Sequence, residues 1–272
     1  MLALSIYALA GVVGLSFDKI DLRRPGAHGF TFQNYLSLWS DYRFLNSLKV
    51  SFTWLAATTS GSMLIGLTLA LFLFKRFGKR LENITSIILI IPPVLCRVGI
   101  AQAWKLLYRP FGLLNYFSSL IGLGYINFLG DPILAFISVV IVDIWQWCFL
   151  VAFLLLSLLN SIPMNYIEEA MVEGASRWKI HWYVSLPIIS PGILCIFFIK
   201  FVESLRTFDL IYNLTEGGPG IATEMLDLYA FYQGIMTAGK ISYAASMSII
   251  MLIFSLAILI MLWKFLWRES PV

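Results

Sequence analysis

Residues 160–192 read NSIPMNYIEEAMVEGASRWKIHWYVSLPIISPG, following the apolar run Ile133 to Leu159 and leading into a second, Pro191 to Leu214. This polar interval decides how the chain around it folds. Asn165 can cap a helix, and Glu168 three residues later completes a capping-box pattern. Gly174 suits the left-handed exit of that helix. Ser176 can cap a second short helix through Trp178 and Trp182, Leu186-Pro187 ends it, and Ser190-Pro191 reads as N-cap and first position of the next long helix. The pattern predicts two short helices at a bend, held between two long apolar ones. Such a protrusion suits the docking of a partner protein. It equally suits an amphipathic hairpin lying on lipid through Trp178, Trp182 and Tyr183. Spacing alone leaves both open.

Outward from this loop the chain is apolar. Of 272 residues, 60% are hydrophobic and 12% charged, about half the charge of a soluble domain, and the mean hydropathy is +0.84. That excludes an acidic, disordered or nucleic-acid-coating protein and argues against a water-soluble enzyme. A helix needs about 20 mostly apolar residues to cross a bilayer. Val50 to Phe74 and Ile241 to Trp263 have no charge at all. Asn83 to Tyr108, Ile133 to Leu159 and Pro191 to Leu214 are apolar runs interrupted by charges, and Met1 to Phe17 is a short run without a basic start. Six spans are predicted. An apolar residue 1 is consistent with a gene product that begins upstream. The 75–80 loop, the 161–189 loop and the tail carry eight Lys and Arg, against six in the longer loops 18–46, 109–132 and 215–241. The positive-inside bias places the first set, and both termini, in the cytoplasm.

The loop resembles a known family. Tyr166-Ile167-Glu168-Glu169-Ala170, then Glu173-Gly174-Ala175 and Leu186-Pro187, is similar to the EAA loop of bacterial ABC importer permeases, with Glu169 where the first Ala stands and Glu173 where Asp is usual. Phe208-Asp209-Leu210-Ile211-Tyr212, Thr215-Glu216-Gly217-Gly218-Pro219-Gly220 and Ala222-Thr223-Glu224 are similar to the first permease subunit of maltose-type sugar importers, as are Gly112-Leu113-Leu114-Asn115 and Asn46-Ser47. The resemblance covers about Leu4 to Leu262. It implies a bacterial inner-membrane protein paired with a second, related permease, two cytosolic ATPases that bind ATP and magnesium, and an extracytoplasmic solute-binding protein. In that family the loop enters a cleft of the ATPase, where Gly174 would allow close approach and Glu168 would accept from a basic group.

Charges inside the spans are the other candidates. Lys200, Glu203, Arg206 and Asp209 alternate in sign three apart, so on one helix neighbours can neutralise each other. Intramembrane charges are costly and are usually paired or functional. The row can be a structural ladder, or Arg206 and Asp209 can line a sugar path by hydrogen bonding. In the preceding span Asp143 and Gln146 lie three apart beside Trp147, a polar pair next to aromatic surface that a sugar can use. Asp143 can instead pair with Lys200 or Arg206. Arg97, after Pro92-Pro93, stands where the family usually has an apolar residue; it can bind an anionic cargo such as a phosphorylated polyol, or answer Asp143.

Other signals carry little. Cys96, Cys148 and Cys195 are far apart in apolar runs, and His28 and His181 form no metal motif. Gly234 to Lys240 imitates a nucleotide-binding loop but is followed by Ile241 rather than Ser or Thr. The expectation is an all-α integral membrane protein of the six-helix type I ABC importer kind. Its predicted organisation is a first transmembrane helix and extracytoplasmic loop (1–41), then a permease domain (42–266) containing the 161–189 loop. The chain itself catalyses nothing and binds no cofactor, metal or nucleic acid; its cargo is a sugar or related polyol, with a secondary transporter or channel as the rival class.

Overall fold

The computed structural model describes residues 2–23, 26, 28–74, 79–236 and 239–267. Met1, Arg24, residues 75–78 of the basic loop, residues 237–238 of the nucleotide-loop imitation and Arg268 lie outside them. Among the described residues all regular structure is helical: α1 (Leu2–Ser16), α2 (Gln33–Ser40), α3 (Tyr42–Leu73), α4 (Lys79–Val94), α5 (Arg97–Leu107), α6 (Leu113–Leu120), α7 (Pro132–Asn160), α8 (Met164–Val172), α9 (Arg177–Ile180), α10 (Leu186–Ser204), α11 (Phe208–Leu214), α12 (Leu226–Phe231) and α13 (Ile241–Trp267), with π turns at His181–Ser185 and Tyr232–Met236. Four helices are long and apolar enough to cross a bilayer: Tyr42–Leu73, Pro132–Asn160, Arg177–Ser204 and Ile241–Met261. A bent pair and the short apolar helix Leu4–Ser16 bring the number to the six expected.

Three expectations about these spans are corrected. The run Asn83 to Tyr108 is not one helix, because Thr85–Val94 and Arg97–Leu107 meet at 92°. Pro92 and Pro93 supply no N–H to the last turn of α4, which closes with Leu95 donating to the Pro92 carbonyl. Leu186-Pro187 does not stop a helix, and Ser190-Pro191 does not start one. The helix is continuous from Arg177 to Ser204 through a π turn placed just before Pro187. Farther on, Pro191 has no N–H to give the Pro187 carbonyl, and the Ser190 hydroxyl donates to it instead at 2.9 Å. Finally, Pro191 to Leu214 breaks after Ser204, so Lys200, Glu203, Arg206 and Asp209 do not share one helix. Leu205 and Arg206 close the end with tight bonds to Val202 and Glu203, and Thr207 then accepts the first bonds of α11.

The chain forms two compact units, Met1–Thr53 with Leu107–Phe136 and Thr207–Val272, and Trp54–Leu106 with Ile137–Arg206. In the second, Ala70, Leu89, Val151, Leu155, Leu159, Ile167, Ile180, Ile189 and Ile196 share one buried cluster. Its helices pack closely at glycines: a Cβ on Gly66 of α3 would lie 2.5 Å from Val151 Cγ1 and 3.0 Å from the Cys148 carbonyl of α7. Small residues allowing such approach are a main source of helix association in lipid. Gly66→Leu is expected to cost about 1–3 kcal/mol through overpacking, read as a lowered melting temperature of the purified protein.

In the first unit, Leu38, Phe44, Leu226, Tyr229, Met247 and Ile250 form the core. Asp41 caps α3 by accepting from the Arg43 and Phe44 amides, and its other oxygen takes the Tyr229 and Tyr243 hydroxyls, both at 2.6 Å. Burial works against the Asp41 carboxylate, but these hydroxyls and amides outweigh it and hold its pKa below the usual range. Arg43 forks onto Glu224 at 2.6 and 2.7 Å, Asn46 donates to the Ile221 carbonyl, and Ser51 accepts from the Leu226 amide. These bonds tie the 221–226 segment to the first turns of α3. A cavity of about 740 Å³ in this unit, lined by Val12, Leu15, Phe208, Asp227 and Met251 among others, is almost wholly apolar. Asp227, its one carboxyl, is raised in pKa by burial and already accepts from the Leu228 amide and the Thr207 hydroxyl. Such a lining offers a hydroxylated solute little to bond.

Candidate functional site

The loop after α7 holds one short helix, Met164–Val172, which turns at Gly174 into the continuous helix Arg177–Ser204, so the second short helix expected from the sequence is the first turns of the next span. The first helix begins at Met164 with Pro163 at its N-cap, so Asn165 lies inside it and Glu168 plays no part in capping. Its exit is as expected. Gly174 has φ +79°, its amide bonds the Met171 carbonyl at 3.0 Å, and the Ala175 amide bonds Ala170 at 3.0 Å, the paired closure of a Schellman motif. Ser176 is the N-cap of α9 by position, although its hydroxyl makes no capping bond.

Burial divides this hairpin into an anchored and a presented face. Ile167 and Ile180 are buried in the core cluster, and Ala170, Ala175 and Leu186 pack against it. Glu168, Glu169, Glu173 and Gly174 are exposed, as is Pro187. A Cβ on Gly174 would meet nothing within 4 Å, so its glycine is required by the positive φ and not by crowding inside this chain. Large apolar side chains of the same hairpin are also in the open: Val172 is 89% exposed, Tyr183 79% and Trp178 68%.

The second candidate lies within Trp54–Arg206 and is built around Asp143 of α7, which is fully buried. Arg97 Nη2 donates to its Oδ1 at 2.5 Å, and Lys200 Nζ to its Oδ2 at 2.7 Å. The 92° bend brings Arg97 here, since Arg97 opens α5 just past the break. Arg97 Nη1 also donates to the Arg206 carbonyl. Lys200, 1% exposed, gives a second bond to Ser204 Oγ at 2.7 Å. Thr58 and Thr59 hydroxyls lie 3.2 and 3.3 Å from that same oxygen, and the Trp54 indole N–H donates to the Ser204 carbonyl at 3.1 Å. Both cations approach Trp147, with Arg97 Cζ 5.8 Å and Lys200 Nζ 5.6 Å from its ring centre. Gln146 donates to the Leu95 carbonyl at 3.2 Å, joining α7 to the bend itself.

Asp143, Gln146, Trp147 and Arg97 are thus brought together, and Arg206 joins through its backbone. The Arg206 side chain is largely exposed and reaches Glu203 at 3.5 Å, not Asp143. Asp209 opens α11 in the other unit and is exposed. Of the partners open to Asp143, the structure selects Lys200 and Arg97 together. Ser204, Thr58, Thr59 and Trp54 were not among the expected site residues; their signal was neutral polar groups inside apolar runs. Among the described residues, no group of three or more His, Cys, Asp and Glu could hold a metal ion.

Residues 62–265 match the family described as binding-protein-dependent transport system inner membrane component. A trehalose/maltose transport system permease protein of Thermococcus litoralis is 34% identical over 200 residues, covering 73% of this chain and 67% of the relative. A probable ABC transporter permease protein of Pyrococcus horikoshii is 30% identical over 257 residues, covering 93% of this chain and 87% of the relative. Among solved structures, a chain of a bacterial ABC transporter involved in the import of the acidic polysaccharide alginate superposes with a TM-score of 0.86 at 21% identity, covering 98% of this chain and 90% of that one. At that identity the likeness establishes the fold.

Proposed function

The chain belongs to the family of binding-protein-dependent transport system inner membrane components, and on that premise we propose that it carries a sugar or related polyol across the inner membrane, driven by ATP hydrolysis on partner subunits. The observation that carries the reading is the hairpin of residues 164–185. It is rooted in the core through Ile167 and Ile180 and presents Glu168, Glu169, Glu173 and the Schellman glycine Gly174 outward. One of two cytosolic ATPases grips this face, with Gly174 admitting its backbone and Glu168 accepting from a basic group. ATP and magnesium belong to those ATPases, and this chain needs no cofactor of its own. A second, related permease completes the path, and an extracytoplasmic binding protein delivers the cargo.

Hydroxyl-rich cargo fits the Asp143 centre, where carboxylate, amide and indole groups converge beside two donors. The similarity to a trehalose/maltose permease supports a carbohydrate. In the working cycle ATP closes the ATPases, the hairpin moves with them, and the helices switch from inward- to outward-facing. Reopening releases the cargo inside. We place residues 75–80, 161–189 and both termini in the cytoplasm, and read 1–41 as a first helix and outer loop preceding the 42–266 permease domain.

The test is the assembled complex in liposomes. ATP hydrolysis rises when sugar-loaded binding protein is added, and sugar accumulates only with ATP. Accumulation driven by an ion gradient without ATP would instead identify a secondary transporter.

A further inference from the structure

We infer that the Arg97–Asp143–Lys200 centre selects sugars bearing an acidic group, an inference that rests on the sugar-import reading above. The charges do not balance. Asp143 supplies one negative charge, and two cations divide it, one on each oxygen. Glu203 and Arg206 pair with each other at 3.5 Å and leave this sum unchanged. Lys200 alone would neutralise Asp143 while joining α10 to α7, and Arg97 adds the joint to α5. A second cation among membrane helices is a cost beyond what neutralising Asp143 requires, and such charges commonly mark a solute path.

The hydrogen-bond inventory points the same way. Arg97 spends Nη2 on Asp143 and Nη1 on the Arg206 carbonyl, while its buried Nε finds no acceptor among the described residues. The buried indole N–H of Trp147, the ring that both cations approach, also finds none. On the other side stands one buried acceptor without a donor, Gln146 Oε1. Two donors and a surplus positive charge call for an anionic acceptor; the single acceptor calls for a hydroxyl. A carboxylated sugar carries both. A carboxylate is the kind of acceptor that the Arg97 Nε–H and the Trp147 N–H lack, and a hydroxyl is the donor that Gln146 Oε1 lacks. A neutral sugar can fill the bonds but leaves the charge unanswered.

The experiment uses the complete importer in liposomes. Uptake is compared for hexuronate-containing di- and trisaccharides and for the same sugars with each carboxyl reduced to an alcohol. Wild type is expected to favour the acidic series by about tenfold, the scale of one charge-assisted contact. Arg97→Gln leaves Asp143 and Lys200 matched one to one and is expected to erase that preference. Trp147→Phe removes only the indole N–H and should lower the ratio severalfold; it serves as the test if Arg97→Gln does not assemble. Because the binding protein is the same throughout, a change in ratio belongs to the permease. A ratio that is the same in wild type and variants, or a neutral series carried as fast as the acidic one, overturns the acidic inference and leaves sugar import standing. Uptake of neither series, with no rise in ATP hydrolysis for any sugar, overturns both.

Discussion

Glu168→Ala combined with Gly174→Asp is expected to yield a complex that assembles and reaches the membrane but no longer hydrolyses ATP in response to loaded binding protein. Both positions are exposed, and the core cluster is held by Ile167 and Ile180, so the spans should fold unchanged. The effect falls on the outer face. Since Glu168 takes no part in capping α8, truncating it removes no bond that the helix needs. Truncating one partner of a buried, hydrogen-bonded charge pair costs roughly 2–5 kcal/mol, which is a loss of binding well beyond tenfold. At Gly174, any Cβ meets the penalty of the left-handed region, about 1–2 kcal/mol, and a carboxylate adds bulk and charge where a partner's backbone must approach. Together they should reduce stimulated ATP hydrolysis and sugar uptake by at least about a hundredfold. The measurement is the ATPase rate of the purified complex with and without loaded binding protein. An unaltered stimulated rate would remove this hairpin from the coupling path.

The same hairpin shows what is readable locally. Gly174 declared itself because a left-handed exit is a one-residue requirement, and the charge-free runs Val50 to Phe74 and Ile241 to Trp263 declared themselves as spans because nothing in them competes with lipid. Prolines were less reliable. Pro187 and Pro191 read as boundaries, yet a π turn and the Ser190 hydroxyl absorb both, a solution that depends on what surrounds the freed carbonyl. Pro92-Pro93 did mark a break, but the size of the bend is set by packing. Of the Asp143 centre, the charged members stood out against an apolar background. Thr58, Thr59 and Ser204 did not, since a hydroxyl in a membrane helix is unremarked until its partner is known. Nothing local announces the pairing of Arg43 with Glu224 or of Asp41 with Tyr229 and Tyr243, because these partners lie 181, 188 and 202 residues apart.

Asp143→Leu is expected to prevent assembly altogether. It would leave Lys200, 1% exposed, and Arg97, with a side chain 14% exposed, as two neighbouring cations with no counter-charge at either. Removing one partner of a buried ion pair costs about 3–5 kcal/mol. Here one carboxylate serves two cations, so the loss should lie at the upper end, against a total stability of roughly 5–15 kcal/mol. The check is the yield of intact complex after membrane extraction and size-exclusion chromatography. A compensating set separates folding from function. Replacing buried ion pairs with apolar residues of similar size is often neutral or stabilising. Asp143→Leu with Arg97→Met and Lys200→Met should therefore recover assembly while sugar uptake stays lost. Arg97→Met alone keeps the Asp143–Lys200 bond and should assemble, yet lose the preferential uptake of acidic sugars. If Arg97→Met instead fails to assemble, the guanidinium serves chiefly to join α5, through Asp143 and the Arg206 carbonyl, to its neighbours. If the triple variant both assembles and transports, the centre is a structural lock, and the cargo passes elsewhere. A fold that needs one counter-ion while holding two is the reason to expect otherwise: the second cation costs stability, and binding a solute is the return that would keep it there.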